Sequence, residues 1–233
     1  MPVLTNVILL TGLMVVLLIN WPLKGRLNKT KHSIKWGSPG PIIWFSIGED
    51  PAYVIMHTDF PKMLEEPSLW PTGLANIDIF QFGAPYLLDN PGQSVGYVNL
   101  LRGHQIAIAV MMRFAEIDLY PLLIKEVGID PDYIVLDEPF SRIVECVVIV
   151  RRYHPKAAII LVVPDRVLPP GPQVLADFLD AYRGVLHEYP VAIRFDGEWG
   201  RSRQKELSSV IGMLKSRHIG YGMSYDFATD HLV

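Results

Sequence analysis

The sequence contains a single cysteine, few charged residues and no acidic residue before Glu49. One cysteine, Cys146, excludes an intramolecular disulfide and any zinc or iron–sulfur site built from several cysteines. Charged residues make up 19% of the 233 residues, whereas hydrophobic residues make up 50%. The chain is therefore long enough and apolar enough for one large domain or two small ones.

Positive charge is concentrated ahead of the first acid. Five of the 21 basic residues lie between positions 24 and 35, which leaves 16 basic residues against all 24 acidic residues, a formal charge of −8, in the rest of the chain. Proteins that bind nucleic acids contact phosphates with clustered Lys and Arg. A nucleic-acid partner is therefore not expected.

The N-terminal segment has no charged side chain from Met1 to Leu23, and Val7–Leu23 is almost continuously apolar. About 20 such residues span a bilayer. A cleavable signal peptide would have a basic start and small residues before the cut, and neither is evident. A buried core helix rarely lacks a polar face over this length. Residues 1–23 are predicted to form a transmembrane helix or signal anchor.

Residues 24–40 form a basic linker with five cations and no acid, namely Lys24, Arg26, Lys29, Lys31 and Lys35. Lys and Arg beside a membrane span tend to stay on the cytoplasmic side. The linker therefore favours a single-pass membrane protein whose domain, residues 41–233, is cytoplasmic. A solvated linker that touches anionic headgroups is the alternative.

Apolar runs alternate with helical stretches along the rest of the chain. The predicted strands are residues 41–48, 77–83, 106–114, 133–139, 158–164, 191–197 and 219–225. Strands that alternate with helices indicate βαβ units and a parallel sheet covered on both faces. A (β/α)₈ barrel is favoured over an open doubly wound sheet. Because only seven strands are counted and the domain is small for this fold, the barrel is expected to be short or incomplete.

Polar or aromatic residues follow almost every predicted strand, and this is the reason for favouring the barrel. A barrel assembles its site from the carboxyl ends of many strands, whereas an open sheet concentrates it at one switch point. The residues at these positions are Glu49, Asp50, Gln81, Arg113, Asp137, Glu138, Asp165, Asp196, Glu198, Tyr225 and Asp226.

The stretch YIVLDEPFSR, residues 133–142, brings two carboxylates to the end of a buried strand. It is similar to the Walker B strand of ABC-type ATPases. Such a site also needs a glycine-rich loop that ends in Gly-Lys-Ser/Thr, and the chain contains none. An ATPase is therefore not expected.

A second resemblance is to the clan of (β/α)₈-barrel glycoside hydrolases in which strand four ends in Asn-Glu-Pro and a late strand ends in a second glutamate. The sequence has LDEP at the fourth predicted strand and FDGEWG at a later one. The resemblance implies Glu138 and Glu198 as the catalytic pair, one protonating the leaving oxygen while the other attacks or activates water. Asp137 replaces the asparagine, and one strand lies between the two glutamates where the clan has two.

The same resemblance implies a carbohydrate or glycoconjugate substrate, held by Asp137, Trp44, Gln81, Arg113, Asp196, Trp199 and Tyr225. Of these, Trp44 and Trp199 suit stacking on sugar faces. No cofactor or metal is predicted, because the seven histidines show no ligand spacing. Anchored glycosidases usually face outward, so the resemblance and the basic linker predict opposite sides of the membrane.

Three alternatives stay open. Glu138 is alternatively a structural carboxylate that pairs with Arg113 or caps the next helix. The domain is alternatively a non-catalytic barrel that binds a glycan or a protein. A lyase or aldolase barrel is disfavoured, because these enzymes usually need a metal or a Schiff-base lysine at a strand end and no predicted strand ends in lysine.

Overall fold

The computed structural model describes residues 42–46, 59–164, 172–196 and 204–223. The predicted membrane segment Val7–Leu23 and the basic linker lie outside these residues. Within the described ranges, no helix is long and apolar enough to cross a membrane.

The described residues form seven strands and eight α-helices. The strands are β1 (Trp44–Ser46), β2 (Ile79–Gly83), β3 (Ala107–Arg113), β4 (Tyr133–Asp137), β5 (Ala158–Pro164), β6 (Ala192–Asp196) and β7 (Gly220–Met223). The helices are α1 (Asp59–Glu65), α2 (Pro71–Ala75), α3 (Ala84–Asp89), α4 (Pro91–Gly103), α5 (Tyr120–Glu126), α6 (Phe140–Tyr153), α7 (Pro172–Leu186) and α8 (Gln204–Ser216). Two 3₁₀ turns cover Pro67–Leu69 and Phe114–Glu116.

The sheet is parallel throughout, and its strands follow one another in chain order from β1 to β7. A doubly wound sheet reverses its strand order at a switch point, and this sheet does not. Each crossover therefore runs in the same direction, so the helices lie on one face. The predicted alternation of strands and helices is confirmed as an α/β half-barrel of seven parallel strands, compatible with an incomplete barrel.

The two faces of the sheet belong to separate apolar clusters. The outer face packs against the helices and carries bulky side chains such as Phe80, Phe82 and Phe195. The inner face carries several small residues, among them Ala107, Ala109, Val135, Val162 and Ala192, together with larger ones such as Met111 and Tyr133. The alanines and valines leave room for the sheet to curl inward.

Carboxylates at the amino ends of two strands have structural roles. Asp78, just before β2, accepts a hydrogen bond from the backbone N–H of Ile43 at 2.8 Å. Asp132, just before β4, accepts one from the N–H of Ile108 at 3.0 Å. These acids satisfy backbone donors at the edge of the sheet opposite the predicted site.

Candidate active site at the carboxyl edge of the sheet

Arg113 and Asp137 end neighbouring strands and are directly paired across them. Because side chains alternate along a strand, they lie on the same face as Met111 and Val135, which belong to the inner cluster. Asp137 therefore lies on the inner face of the sheet, beside Arg113.

Glu138 follows the last paired residue of β4 and is 6% exposed. Burial, followed by the negative charge of Asp137, raises the pKa of the Glu138 carboxyl to about 7, and the Arg142 guanidinium opposes this shift. The raised pKa keeps a substantial fraction of the Glu138 carboxyl protonated near neutral pH. An acid with this pKa can both donate and accept a proton under physiological conditions.

The turn after Glu138 leads directly into helix α6. Pro139 has φ −56° and ψ 139°, and its carbonyl accepts a hydrogen bond from the N–H of Arg142 at 2.9 Å. The N-cap residue of α6 is Pro139, which makes no side-chain capping hydrogen bond. The helix-capping role considered for Glu138 stays an alternative.

The neighbouring turn after β3 contributes a further carboxylate to this edge. Glu116 accepts a hydrogen bond from the backbone N–H of Arg113 at 3.0 Å. This bond ties the 3₁₀ turn Phe114–Glu116 to the end of the strand. The negative charge of Glu116 also contributes to the raised pKa of Glu138, while the charge of Arg113 lowers it.

Gln81 and Arg194 form a polar cluster inside the curve of the sheet. The amide Nε2 of Gln81 donates to Ser46 Oγ at 2.9 Å and lies 3.2 Å from Met111 Sδ. Arg194 Nη1 donates to Gln81 Oε1 at 2.7 Å. The Arg194 guanidinium also lies over the Trp44 ring, with Cζ 5.7 Å from the ring centroid.

Two predicted residues, Trp44 and Gln81, are thus brought together in this cluster. Arg194 was missed, although VAIRFDG does carry a signal: an arginine in the middle of an apolar strand. Alternation from Ala192 places Arg194 on the inner face. A charged residue facing the inside of a curled sheet requires polar partners, and Gln81 is one of them.

The remaining predicted residues lie outside the described residues or, in one case, at the end of β6. Glu198, Trp199 and Tyr225 lie outside the described residues, and so do Glu49, Asp50, Asp165 and Asp226. Asp196 ends β6, where its backbone is paired with Pro164 of β5. The pairing of Glu138 with Glu198 therefore stays a prediction. In the part of the chain that the structure covers, no three metal-ligating side chains form a group.

A scan against protein-family models gives no match, and a search of curated proteins gives none either. Among solved structures, the chain is similar to a dehydroquinate dehydratase and shikimate dehydrogenase from S. pombe, with 14% identity and a TM-score of 0.46. That match covers 86% of this chain and 37% of the other, so the chain spans well under half of that protein. A protein from Aquifex aeolicus VF5 matches with 12% identity and a TM-score of 0.43, over 81% of this chain and 75% of that one.

Proposed function

We propose that the chain is a glycoside hydrolase that acts on a carbohydrate or glycoconjugate, with Glu138 as its proton donor. The observation that carries the proposal is a buried carboxyl with a pKa of about 7 at the carboxyl edge of a parallel half-barrel. Glycosidases need an acid that is still protonated near neutral pH. The LDEP and FDGEWG motifs give the proposal its reaction class.

The chemistry needs two carboxyl groups on either side of the scissile bond. Glu138 protonates the leaving oxygen as the bond to the anomeric carbon breaks. Glu198 is the proposed second carboxylate, which either attacks that carbon or removes a proton from the attacking water. Two carboxyl groups about 5–5.5 Å apart imply that the anomeric configuration is retained. A separation of about 6.5–9.5 Å leaves room for a water molecule and implies inversion.

Asp137 has two roles in this proposal. Its place on the inner face suits contact with a sugar hydroxyl, as the asparagine of the clan makes. Its negative charge also helps to hold the proton on Glu138. Arg113, paired with it across the strands, would contact substrate at the same edge, and Val7–Leu23 would hold the domain at a membrane.

Replacing Glu138 with Gln tests the proposal, because the amide keeps the shape of the side chain but cannot donate the proton. Turnover of a panel of glycosides should fall about 10²- to 10⁴-fold, while substrate binding stays nearly unchanged. Glu145→Gln is the matched control, since Glu145 is exposed on α6. An active enzyme that is indifferent to Glu138→Gln would overturn the proposal.

A second candidate is a barrel that binds a glycan without cleaving it. The observation in its favour is the hydrogen-bonded cluster of Gln81, Met111 and Arg194, which fills part of the interior. This candidate predicts glycan binding with no turnover that depends on Glu138. Binding and turnover measured on the same preparation separate the two functions.

A further inference from the structure

Basic residues are concentrated where the helices end. Each helix from α4 to α8 leads from the carboxyl end of one strand to the amino end of the next, so its last turn lies at the amino edge of the sheet. Each of these last turns contains at least one basic residue, and together they are Arg102, Lys125, Arg151, Arg152, Arg183 and Lys215. We call this band the basic edge, and it lies opposite the edge that carries Glu138.

Three cations of the basic edge are exposed to solvent, namely Lys125, Arg152 and Lys156, which lies in the turn between α6 and β5. None of the three forms an ion pair among the described residues. Among the acids at this edge, Glu126 is exposed, whereas others accept backbone hydrogen bonds or pair with other arginines, as Asp78, Asp132, Asp180 and Glu188 do. The three cations can therefore bind a partner outside the domain.

Apolar side chains are exposed at the same edge. Cations near a helix C-terminus are stabilised by the helix dipole, but the dipole does not explain exposed apolar residues beside them. Val185, in the last turn of α7, is 60% exposed. Leu69 and Trp70 lie in the segment that leads into the amino end of β2, and they are 67% and 41% exposed. Exposed apolar residues, tryptophan included, together with cations are typical of a surface that lies in a lipid interface.

The N-terminal part of the chain enters the sheet at the basic edge. Ile43 lies just before β1, and its backbone N–H donates to Asp78, which lies just before β2. The predicted membrane segment Val7–Leu23 is joined to this point by residues 24–40, which could span about 60 Å at most. An anchor in that segment would keep the domain close to a bilayer.

Charge then decides which surface of the domain meets an anionic bilayer. Each Lys or Arg near such a surface strengthens binding about 5-fold, so the basic edge is attracted. The opposite edge brings together the carboxyl groups of Glu116, Asp137 and Glu138, and negative charge there is repelled. The two edges therefore favour the same orientation.

We propose that the basic edge binds an anionic lipid surface. The three exposed cations contact headgroup phosphates, while Leu69, Trp70 and Val185 enter the interface between headgroups and acyl chains. The carboxyl edge with Glu138 then faces away from the bilayer, towards the water from which a substrate arrives. The proposal does not depend on which reaction Glu138 carries out.

A polarity-sensitive fluorophore attached to Leu69→Cys tests the proposal in the full chain. Cys146 is buried, so the introduced thiol is the one that reacts. The labelled chain is mixed with nanodiscs of phosphatidylcholine alone or of phosphatidylcholine with phosphatidylglycerol. Its emission should shift to the blue in the anionic discs and shift back as salt is added, because salt screens exposed charges. The label reports on the domain itself, whether or not Val7–Leu23 spans the bilayer.

Leu119→Cys is the matched control for the label. Leu119 is also an exposed leucine, at 52%, but it lies at the start of α5 and therefore at the carboxyl edge. Its emission should be the same in neutral and anionic discs. A shift of the Leu119 label that equals or exceeds that of the Leu69 label would place the wrong edge at the lipid and overturn the proposal.

Surface variants identify the cations. Lys125→Gln, Arg152→Gln and Lys156→Gln should each weaken docking of the Leu69 label about 5-fold, and the three together should abolish the shift. Lys205→Gln is the matched control, because Lys205 lies in the first turn of α8, at the opposite edge. An equal shift in neutral and anionic discs, no shift in either, or a shift that the triple variant keeps would each overturn the proposal.

Discussion

Arg194 and Gln81 are hydrogen-bonded at 2.7 Å although their strands, β6 and β2, are separated by three others in the sheet. In a flat sheet, four strand spacings amount to about 19 Å, which is more than these two side chains can bridge. The bond is therefore possible only because the sheet curls. It joins the two halves of the half-barrel and positions the guanidinium in the interior.

Replacing Gln81 with Leu should destabilise the fold. The substitution removes one acceptor of an interior arginine, and we expect the free energy of unfolding to fall by about 1–3 kcal/mol in urea titrations. Gln173→Leu is the matched control, because Gln173 is exposed on α7 and donates a hydrogen bond to Asp177 one turn away. Equal, small effects of the two substitutions would show that the bond across the interior contributes little.

The raised pKa of Glu138 should make stability depend on pH. The native carboxyl keeps its proton up to a pH of about 7, whereas the unfolded one loses it near 4.5. Since the native state binds more protons in this window, the free energy of unfolding should fall as the pH rises from about 4.5 to 7, by about 3 kcal/mol in total. Urea titrations across this range measure it.

Glu138→Gln removes that titration. The variant should be more stable than the parent chain at pH 8 and similar to it at pH 4.5. Glu145→Gln, on the exposed face of α6, should keep the slope of the parent chain. If the parent and Glu138→Gln curves run parallel over the whole range, Glu138 titrates like an ordinary surface carboxyl.

His154 should give the opposite pH dependence. Its ring is fully buried, and Nε2 lies 2.8 Å from the carbonyl of Pro121 at the start of α5. Burial lowers the pKa of His154 below 6.5, so the native state holds the neutral ring. The neutral, buried His154 stabilises the fold above pH 6.5. This contribution to the free energy of unfolding is lost as the pH falls through the native pKa of His154.

His154→Asn is the variant that isolates this effect, since the amide can still donate to Pro121 but does not titrate. The loss of stability relative to the parent chain should be larger at pH 7 than in acid. Unfolding of both chains between pH 4 and 8 measures it, with His104→Asn on the exposed end of α4 as the control. If the parent chain and His154→Asn differ in stability by the same amount at every pH, His154 does not change protonation on unfolding.

The apolar segment Val7–Leu23 should hold the chain in membranes. Arginines at Leu17 and Leu18 would each cost about 2.5–3.5 kcal/mol at the centre of a span. After a carbonate wash, the parent chain should remain in the membrane fraction. The Leu17→Arg, Leu18→Arg double variant should instead be found in the supernatant. Leu69→Arg, at an exposed position in the described domain, should have no effect on fractionation. Retention of the double variant would remove the basis for a membrane anchor.

The strands were predictable because each is a run of apolar residues bounded by polar ones. Residues 158–164 were predicted and observed as a strand, and the predicted strand 133–139 contains β4. The order of the strands was part of the barrel prediction, which rested on the polar or aromatic residues that follow almost every strand. The sequence predicted a barrel-like sheet but not the contacts across its interior. Gln81 and Arg194, which bond across it, are 113 residues apart in the sequence.

The candidate site was predicted less completely than the fold. Asp137 and Glu138 stood out because they bring two carboxylates to the end of an apolar run in an LDEP motif, but the sequence could not show which of them lies on the inner face. That depends on the register of β4 with β3, where Asp137 pairs with Arg113. The raised pKa of Glu138 depends on burial, which the motif alone does not determine.

The most direct test of the account is the effect of Glu138→Gln on two glycosides that differ only in their leaving group. A nitrophenolate leaves readily without a proton, whereas a sugar alkoxide needs one. If Glu138 is the proton donor, Glu138→Gln should slow release of the sugar at least about 10²-fold more than release of nitrophenol. The kcat/KM of the parent chain should also fall above pH 7. Equal losses on both substrates, with a pH profile flat through 7, would contradict Glu138 as the proton donor.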